Sequence, residues 1–580
     1  MPDGLPELQN DALVEVAAKS TPEGRTTYRP KNKRHILCVF PQYAPSFGTF
    51  QHSYKLFPDV NAFMPPQGML LVVAYMPIEW EVRFIDENRQ IATEEDFKWA
   101  DAVFISGMHV QRGFIGDINR RAHAHNKITA LGGPSVSACA EYYPDIDLLH
   151  VGEMGDATDA IIAYIDETTE RPATQKKYVT SARLPLTDFP VPAYHKIDVS
   201  NYFLGSIQFS SGCPYRCEFC DIPALYGRNP RLKTPEQICK ELDAIVANGA
   251  RGAVYFVHDN FVGNKKAALD LMPHLIAWQK KNGFPLRFAC EATLNMAQMP
   301  ELLSQMREAA FHTVFMGIET PEEDALEAML KKQNLRMPIM EAVETLNKYG
   351  MEVVSGIIMG LDTDHAKTGQ NILKFIDNSN IPLLTINLLY ALPKTALYDR
   401  LQKDNRVLPD DEAARLGRVS NVEFKMPYED VTQMWFDTIT KAYSPERIFA
   451  RFKHQTEAVF PHRLKINPKV GWELLKYGLT IMSRTVWYSG IRAPWRKHFW
   501  RIAWPLIKQG RIEEVVHIGV VTYHLITFTR EIEAGKAVLA ESPVRLSVIA
   551  DNVVSMLQGR AQARQLQLSA ALEALPDDLV

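Results

Sequence analysis

Cys213, Cys217 and Cys220 lie in Ser210-Ser-Gly-Cys-Pro-Tyr-Arg-Cys-Glu-Phe-Cys-Asp221, spaced C-x3-C-x2-C with no fourth cysteine nearby. Thiolates hold iron–sulfur clusters, and a [4Fe–4S] cube takes one ligand per iron. Three thiolates on a tight loop therefore leave one iron open to bind something else. Zinc and plain packing are the competing readings. Structural zinc usually takes four ligands, commonly as two C-x2-C pairs, and the nearest other thiol, Cys239, lies in a helical-looking stretch nineteen residues on. Seven cysteines in 580 residues do not make a disulfide framework.

The elements that must position this loop read as βα alternation on both sides of it. Short apolar runs at His35–Phe40, Trp80–Ile85, Ala102–Ser106, Ile128–Gly132 and Leu148–Gly152 are separated by loops or helical stretches. Over residues 33–165 this predicts a doubly wound α/β domain, whose ligands bind beyond the carboxyl ends of the strands. Residues 1–32 read as a solvated tail and 166–200, rich in proline and poor in apolar runs, as a linker. Alternation resumes over 201–410, with strands expected at Ile207–Ser210, Val254–Val257, Arg287–Glu291, Thr313–Ile318, Val353–Met359 and Leu384–Leu389. Six such units predict a partial (β/α)6 barrel with its functional groups at the strand ends. Residues 411–545 are helical in pattern, and 546–580 read as a C-terminal tail.

A net charge of −4 gives no footprint for nucleic acid. The first residues lack a charged-then-apolar leader pattern. The longest apolar candidate for a spanning helix, Val515–Phe528, is short and carries His517 and His524. A reducing cytoplasm suits free thiols and an oxygen-sensitive cluster. The helical region is unusually aromatic, and Arg492-Ala-Pro-Trp-Arg-Lys-His-Phe-Trp-Arg-Ile-Ala-Trp504 interleaves bases with tryptophans. Helix packing, a lid over an apolar substrate, and peripheral contact with the inner face of a membrane all use these ingredients.

The cysteine spacing, with Phe219 before the last thiol, resembles the radical SAM superfamily. That resemblance implies a [4Fe–4S] cluster on Cys213, Cys217 and Cys220 whose open iron chelates S-adenosylmethionine. It implies polar contacts to the cofactor from Asp259 and Asn260 after the second strand, although Asp-Asn also favours an Asx turn. Glu291 and Glu319 end the third and fourth strands, where a carboxylate suits ribose hydroxyls or the methionine amino group, or else pairs with a core arginine. Ser355, in Ser355-Gly-Ile-Ile-Met-Gly360, falls in the adenine-contacting segment.

The N-terminal domain resembles the cobalamin-binding domain of a large subclass. The D-x-H-x-x-G motif is absent, so cobalamin without a lower histidine from that motif is implied. His109 follows a strand end within reach of a corrin, or is an ordinary loop histidine bonded to backbone or solvent. Ser106, Met108, Gln111 and Gly133 are pocket candidates by position. In Ala391-Leu-Pro-Lys-Thr-Ala-Leu-Tyr398 the subclass usually has glycine and proline where this chain has Lys394 and Ala396.

Cys38-Val-Phe-Pro-Gln-Tyr-Ala-Pro-Ser-Phe-Gly-Thr49, Phe203-Leu-Gly-Ser-Ile-Gln-Phe-Ser-Ser-Gly-Cys213 and Trp500-Arg-Ile-Ala-Trp504 resemble the hopanoid C-2 methylase branch of lipid-modifying enzymes. The implied activity is radical C-methylation of an unactivated lipid carbon, with an electron donor such as flavodoxin or ferredoxin. A cyclase or carbon–carbon coupling enzyme on a tetrapyrrole or lipid, and a cobalamin- or redox-sensing module, are the alternatives.

Overall fold

The computed structural model describes residues 26, 28–409, 413, 418–466 and 472–535. The expected C-terminal tail, 546–580, and most of the expected N-terminal tail lie outside them.

The first sheet contains β1 (His35–Phe40), β2 (Glu81–Asp86), β3 (Ala102–Ser106), β4 (Ile128–Gly132), β5 (Leu148–Val151) and β6 (Lys176–Val179), all parallel, in the order β2-β1-β3-β4-β5-β6. Both faces are covered, so β1 reads as a continuous apolar run. Ile36, Cys38 and Phe40 enter one core, and Leu37 and Val39 enter the other. Strand order reverses beside β1, which opens a crevice at the carboxyl ends of β1 and β3.

Two expectations are corrected here. The stretch read as a linker supplies β6, whose sequence Lys-Lys-Tyr-Val is polar because it forms the sheet's exposed edge. The end of the supposed solvated tail is tied down: the Asp166 carboxylate accepts from the Tyr28 hydroxyl at 2.9 Å and from the backbone N–H groups of Lys31 and Asn32.

The second sheet is built from β7 (Gly205–Ile207), then β10 (Gly252–Phe256), β11 (Leu286–Ala292), β12 (Phe311–Glu319), β13 (Glu352–Met359) and β14 (Leu383–Leu388), all parallel and in that order across the sheet. Its first strand ends earlier than expected. Beyond it Ser210–Ser211 (β8) pairs antiparallel with Arg231–Leu232 (β9), a two-stranded clip that closes the base of the cysteine loop.

The partial barrel leaves a seam between β7 and β14. A strap from the other domain, the loop after β1, crosses it. Phe50 stacks on Phe203 just before β7 with ring centroids 5.0 Å apart, and Phe47 stacks on Tyr443 at the same separation. The Tyr443 hydroxyl in turn bonds the backbone of Leu384 in β14. The aromatic phrase beginning at Cys38 thus closes the barrel's side.

The helices Tyr428–Ala442, Pro445–Ala458, Trp472–Thr485, Arg496–Lys508 and Ile512–Glu533 follow. Those after residue 460 cover the amino ends of the barrel strands. Arg463 donates to the carbonyls of Gly350 and His312, and His517 pairs with Glu352 at 3.0 Å. Burial opposes ionisation of Glu352, but His517 and Arg463 more than offset it and keep the carboxyl below its ordinary value. The reading of this region as a lid is therefore corrected: composition was compatible with a cap, but these contacts put the helices under the floor.

Candidate active site

Gly212 sets the direction of the cysteine loop. Its φ of +98° suits glycine, and a Cβ there would lie 2.9 Å from the Gly227 carbonyl oxygen. Its N–H donates to Asp259 Oδ2 at 2.5 Å, and the N–H of Cys213 donates to Gly227 O at 3.1 Å. Farther along, the Glu218 N–H donates to Met329 O. Arg400 donates to both oxygens of Glu218, and its other arm reaches Asp362 at 2.7 Å. Burial works against Asp362 ionising, yet Arg406 and Arg400 hold its carboxyl down at about 2.

The thiols fit the cluster that their spacing implies. Gln333 Nε2 donates to Cys217 Sγ at 3.2 Å, which fixes the direction of that sulfur. Burial pushes the thiols of Cys213 and Cys220 up, so both need a cation such as iron to ionise. No three His, Cys, Asp or Glu among the described residues are grouped to hold one metal ion. A cube instead takes each thiolate on a different iron and spreads its ligands farther apart.

Asn260 makes the expected Asx turn, accepting from Val262 N at 3.2 Å, and also lies against the Cys213 thiol. Burial raises Asp259 to about 6, with Glu153 and Asp221 adding to the shift. Glu291 accepts from the Tyr255 hydroxyl at 3.1 Å, and burial pushes it up to about 7.

A glutamate in an unfolded chain titrates near 4.3. Between about pH 4.3 and 7 the folded protein therefore holds the extra proton. The stability this group contributes is complete below the unfolded value and is lost as pH rises through the folded one. Unfolding free energy measured across that window is expected to fall less steeply in Glu291→Gln. An unchanged slope would remove Glu291 from this account.

Glu319 pairs with Lys331, not with an arginine, and the pair is buried. The Lys331 ammonium also stands 5.4 Å from the Phe219 ring, so this pair lies beside the cysteine motif. Ser355 donates to the Met316 carbonyl at 2.7 Å, which gives its hydroxyl a framework partner between β13 and β12.

In the first domain, Gly133 has φ +100°, and a Cβ would lie 2.8 Å from Ser106 Oγ and 3.1 Å from Gly107 O. The loops after β3 and β4 can only pack this closely around glycine. Gln111, fully buried, donates to Pro41 O at 2.7 Å and accepts from Met108 N, tying the loop after β3 to the one after β1. His109 Nδ1 shares a hydrogen bond with Ser135 Oγ at 3.1 Å, so the ring is held by a side chain of the next loop. Met108 is partly exposed at the rim.

The carboxyl ends of the two sheets face each other. Glu153, just after β5, accepts from Ser211 at 3.0 Å and from Arg231 at 2.5 Å. Lys394 crosses from the barrel and donates to the Ser137 carbonyl at 2.6 Å. Its φ is +64°, the conformation of the glycine usual at that point, kept here by a residue that spends its side chain on the other domain. Glu153, Gln333, Lys331 and Arg400 were missed at the level of sequence, and only the departure at Lys394 offered a signal.

Residues 207–376 match the model of the radical SAM superfamily, and residues 395–537 match a domain of unknown function, DUF4070. The hopanoid C-2 methylase of Rhodopseudomonas palustris (strain TIE-1) is 54% identical over 518 residues, covering 89% of this chain and 97% of that one. The chain belongs to the hopanoid C-2 methylase family. An uncharacterized methyltransferase of Synechocystis sp. is 32% identical over 82% of this chain and 88% of its own.

Two solved structures share the fold of this family member at 14% identity. They are the cobalamin-dependent S-adenosylmethionine radical enzyme OxsB with aqua-cobalamin and S-adenosylmethionine bound (TM-score 0.53, 89% of this chain and 83% of that one), and TsrM from Kitasatospora setae with cobalamin and a [4Fe–4S] cluster (TM-score 0.52, 84% and 99%).

Proposed function

We infer that the protein is a cobalamin-dependent radical SAM methyltransferase that adds a methyl group to a hopanoid at C-2. The observation that carries this reading is the opposition of the three-thiol loop to the crevice of the doubly wound domain, fixed by Glu153 and Lys394. When bound, the cluster with S-adenosylmethionine supplies a hydrogen-abstracting radical, and cobalamin supplies the methyl group.

The chain's own residues do the rest. Cys213, Cys217 and Cys220 would hold three irons, and Asp259, through Gly212, fixes the loop that presents them. Asn260 and Glu291 set polar groups beside that loop, and burial pushes the glutamate's carboxyl up to about 7. Gly133, Ser106 and Met108 would line the corrin's side, while Gln111 and Ser135 hold the loops and His109 in place. The contacts between the sheets close the space around the reacting carbon, which protects a radical from water and side reactions.

The test is anaerobic reconstitution with iron, sulfide and cobalamin, followed by dithionite, S-adenosylmethionine and a hopanoid. 5′-Deoxyadenosine, S-adenosylhomocysteine and a hopanoid one methyl heavier are expected together. Deoxyadenosine without methyl gain would overturn methyl transfer, and methylation of another carbon would overturn the C-2 assignment.

A further inference from the structure

The helix Trp472–Thr485 runs directly into a π-helical turn, Val486–Arg492. An α-helix advances about 100° per residue, which alone would carry residues 487 and 491 around to the side. The wider i→i+5 turn advances less and returns them to the starting face. Trp472, Leu475, Leu479, Trp487 and Ile491 consequently form one stripe, each between 45% and 65% exposed. The opposite face is seated: Ile481, Thr485 and Ser489 are buried, and Ser489 donates to Gly519 O on the last helix.

Charge accompanies the stripe. Residues 472–511 hold eight Lys and Arg against a single Glu, a net +7 in a chain whose total is −4. Arg492, Arg496, Lys497, Arg501 and Lys508 are exposed, and the Lys476 ammonium lies 5.4 Å from the Trp472 ring. Beside Trp487 a groove of about 730 Å³ continues the same composition inward, between Arg484 and Tyr488 on this element and Tyr54, Lys55 and Phe57 of the strap. This face lies at the floor end of the barrel, away from the thiols: Arg251, just before β10, stands 5.1 Å from the Tyr477 ring.

We propose that this stripe docks the protein onto an anionic lipid bilayer surface. Tryptophan and aliphatic side chains on one face, rimmed by lysine and arginine, suit the headgroup boundary. The excess of positive charge selects anionic lipid over a neutral apolar partner. No helix among the described residues is long and apolar enough to cross a membrane, so the contact is one of lying on the surface. The inference rests on the lipid-methylating reading only for its purpose.

Flotation of the full-length protein with hopanoid-free vesicles tests it, comparing equal parts phosphatidylglycerol and phosphatidylcholine with phosphatidylcholine alone. Binding to the anionic vesicles, lowered about tenfold or more by Leu479→Glu with Ile491→Glu, is expected. Both positions are exposed, so circular dichroism should show the variant folded. Absence of flotation, equal flotation with both vesicles, or flotation that the substitutions leave unchanged would overturn the proposal. So would light scattering that shows the same substitutions breaking a dimer while vesicle binding persists. Methyl transfer assayed in detergent is independent of all of these outcomes, so the two readings fail separately.

Discussion

Cys217→Ala is expected to abolish formation of 5′-deoxyadenosine while leaving the chain folded. Cys217 is partly exposed on a loop whose course is held by Asp259, Glu218 and the β8–β9 clip, and its sulfur adds a single bond from Gln333. Removing the thiol costs the cluster one of three protein ligands and leaves those contacts standing. Iron content, visible absorption and deoxyadenosine yield should all fall, with the yield at background and the thermal transition close to that of the parent. Cys290→Ala is the counterpart. That thiol is fully buried in β11, so its loss should lower stability and leave cleavage intact. Cleavage that survives in Cys217→Ala would remove the motif from the mechanism.

Lys331→Met should destabilise the protein by about 3–5 kcal/mol, because it leaves the buried Glu319 carboxylate without its cation. Space reinforces the argument. A Cβ on Gly317 would collide with both Glu319 Oε1 and Lys331 Nζ, so the pair packs directly against that glycine. Glu319→Gln in the same chain should recover most of the loss by removing the unpaired charge. Denaturant unfolding of the single and double variants measures the coupling. A single variant as stable as the parent would mean that water replaces the ammonium. Since Lys331 also lies beside Phe219, the damage should include weaker retention of iron.

The parts of this architecture set by local pattern were legible in the sequence. β1, β3 and β4 are short apolar runs that a doubly covered sheet requires, and they occupy the expected residues. The thiol spacing marked the chemistry because three soft ligands on one loop have few other uses. What escaped was long-range pairing. Lys394 and Ser137 are 257 residues apart, and Arg231 and Glu153 are 78 apart, so nothing local links either pair. β6 escaped because an edge strand needs no apolar period. The position of the tryptophan-rich helices escaped because their composition suits either end of a barrel, and long-range contacts such as those of Glu352 with Arg463 and His517 decide between them.

The strap that leaves β1 and lies across the barrel's seam makes the two cofactor domains inseparable. A chain begun at residue 201 would keep all six barrel strands, yet it would bare Phe203, Tyr443 and His524, which the strap now covers. A chain ended at residue 200 would carry Phe47 and Phe50 with nothing to rest on. Neither half inherits a finished surface. Exchanging the front domain among relatives would therefore transplant the closure of the neighbouring barrel's seam along with it.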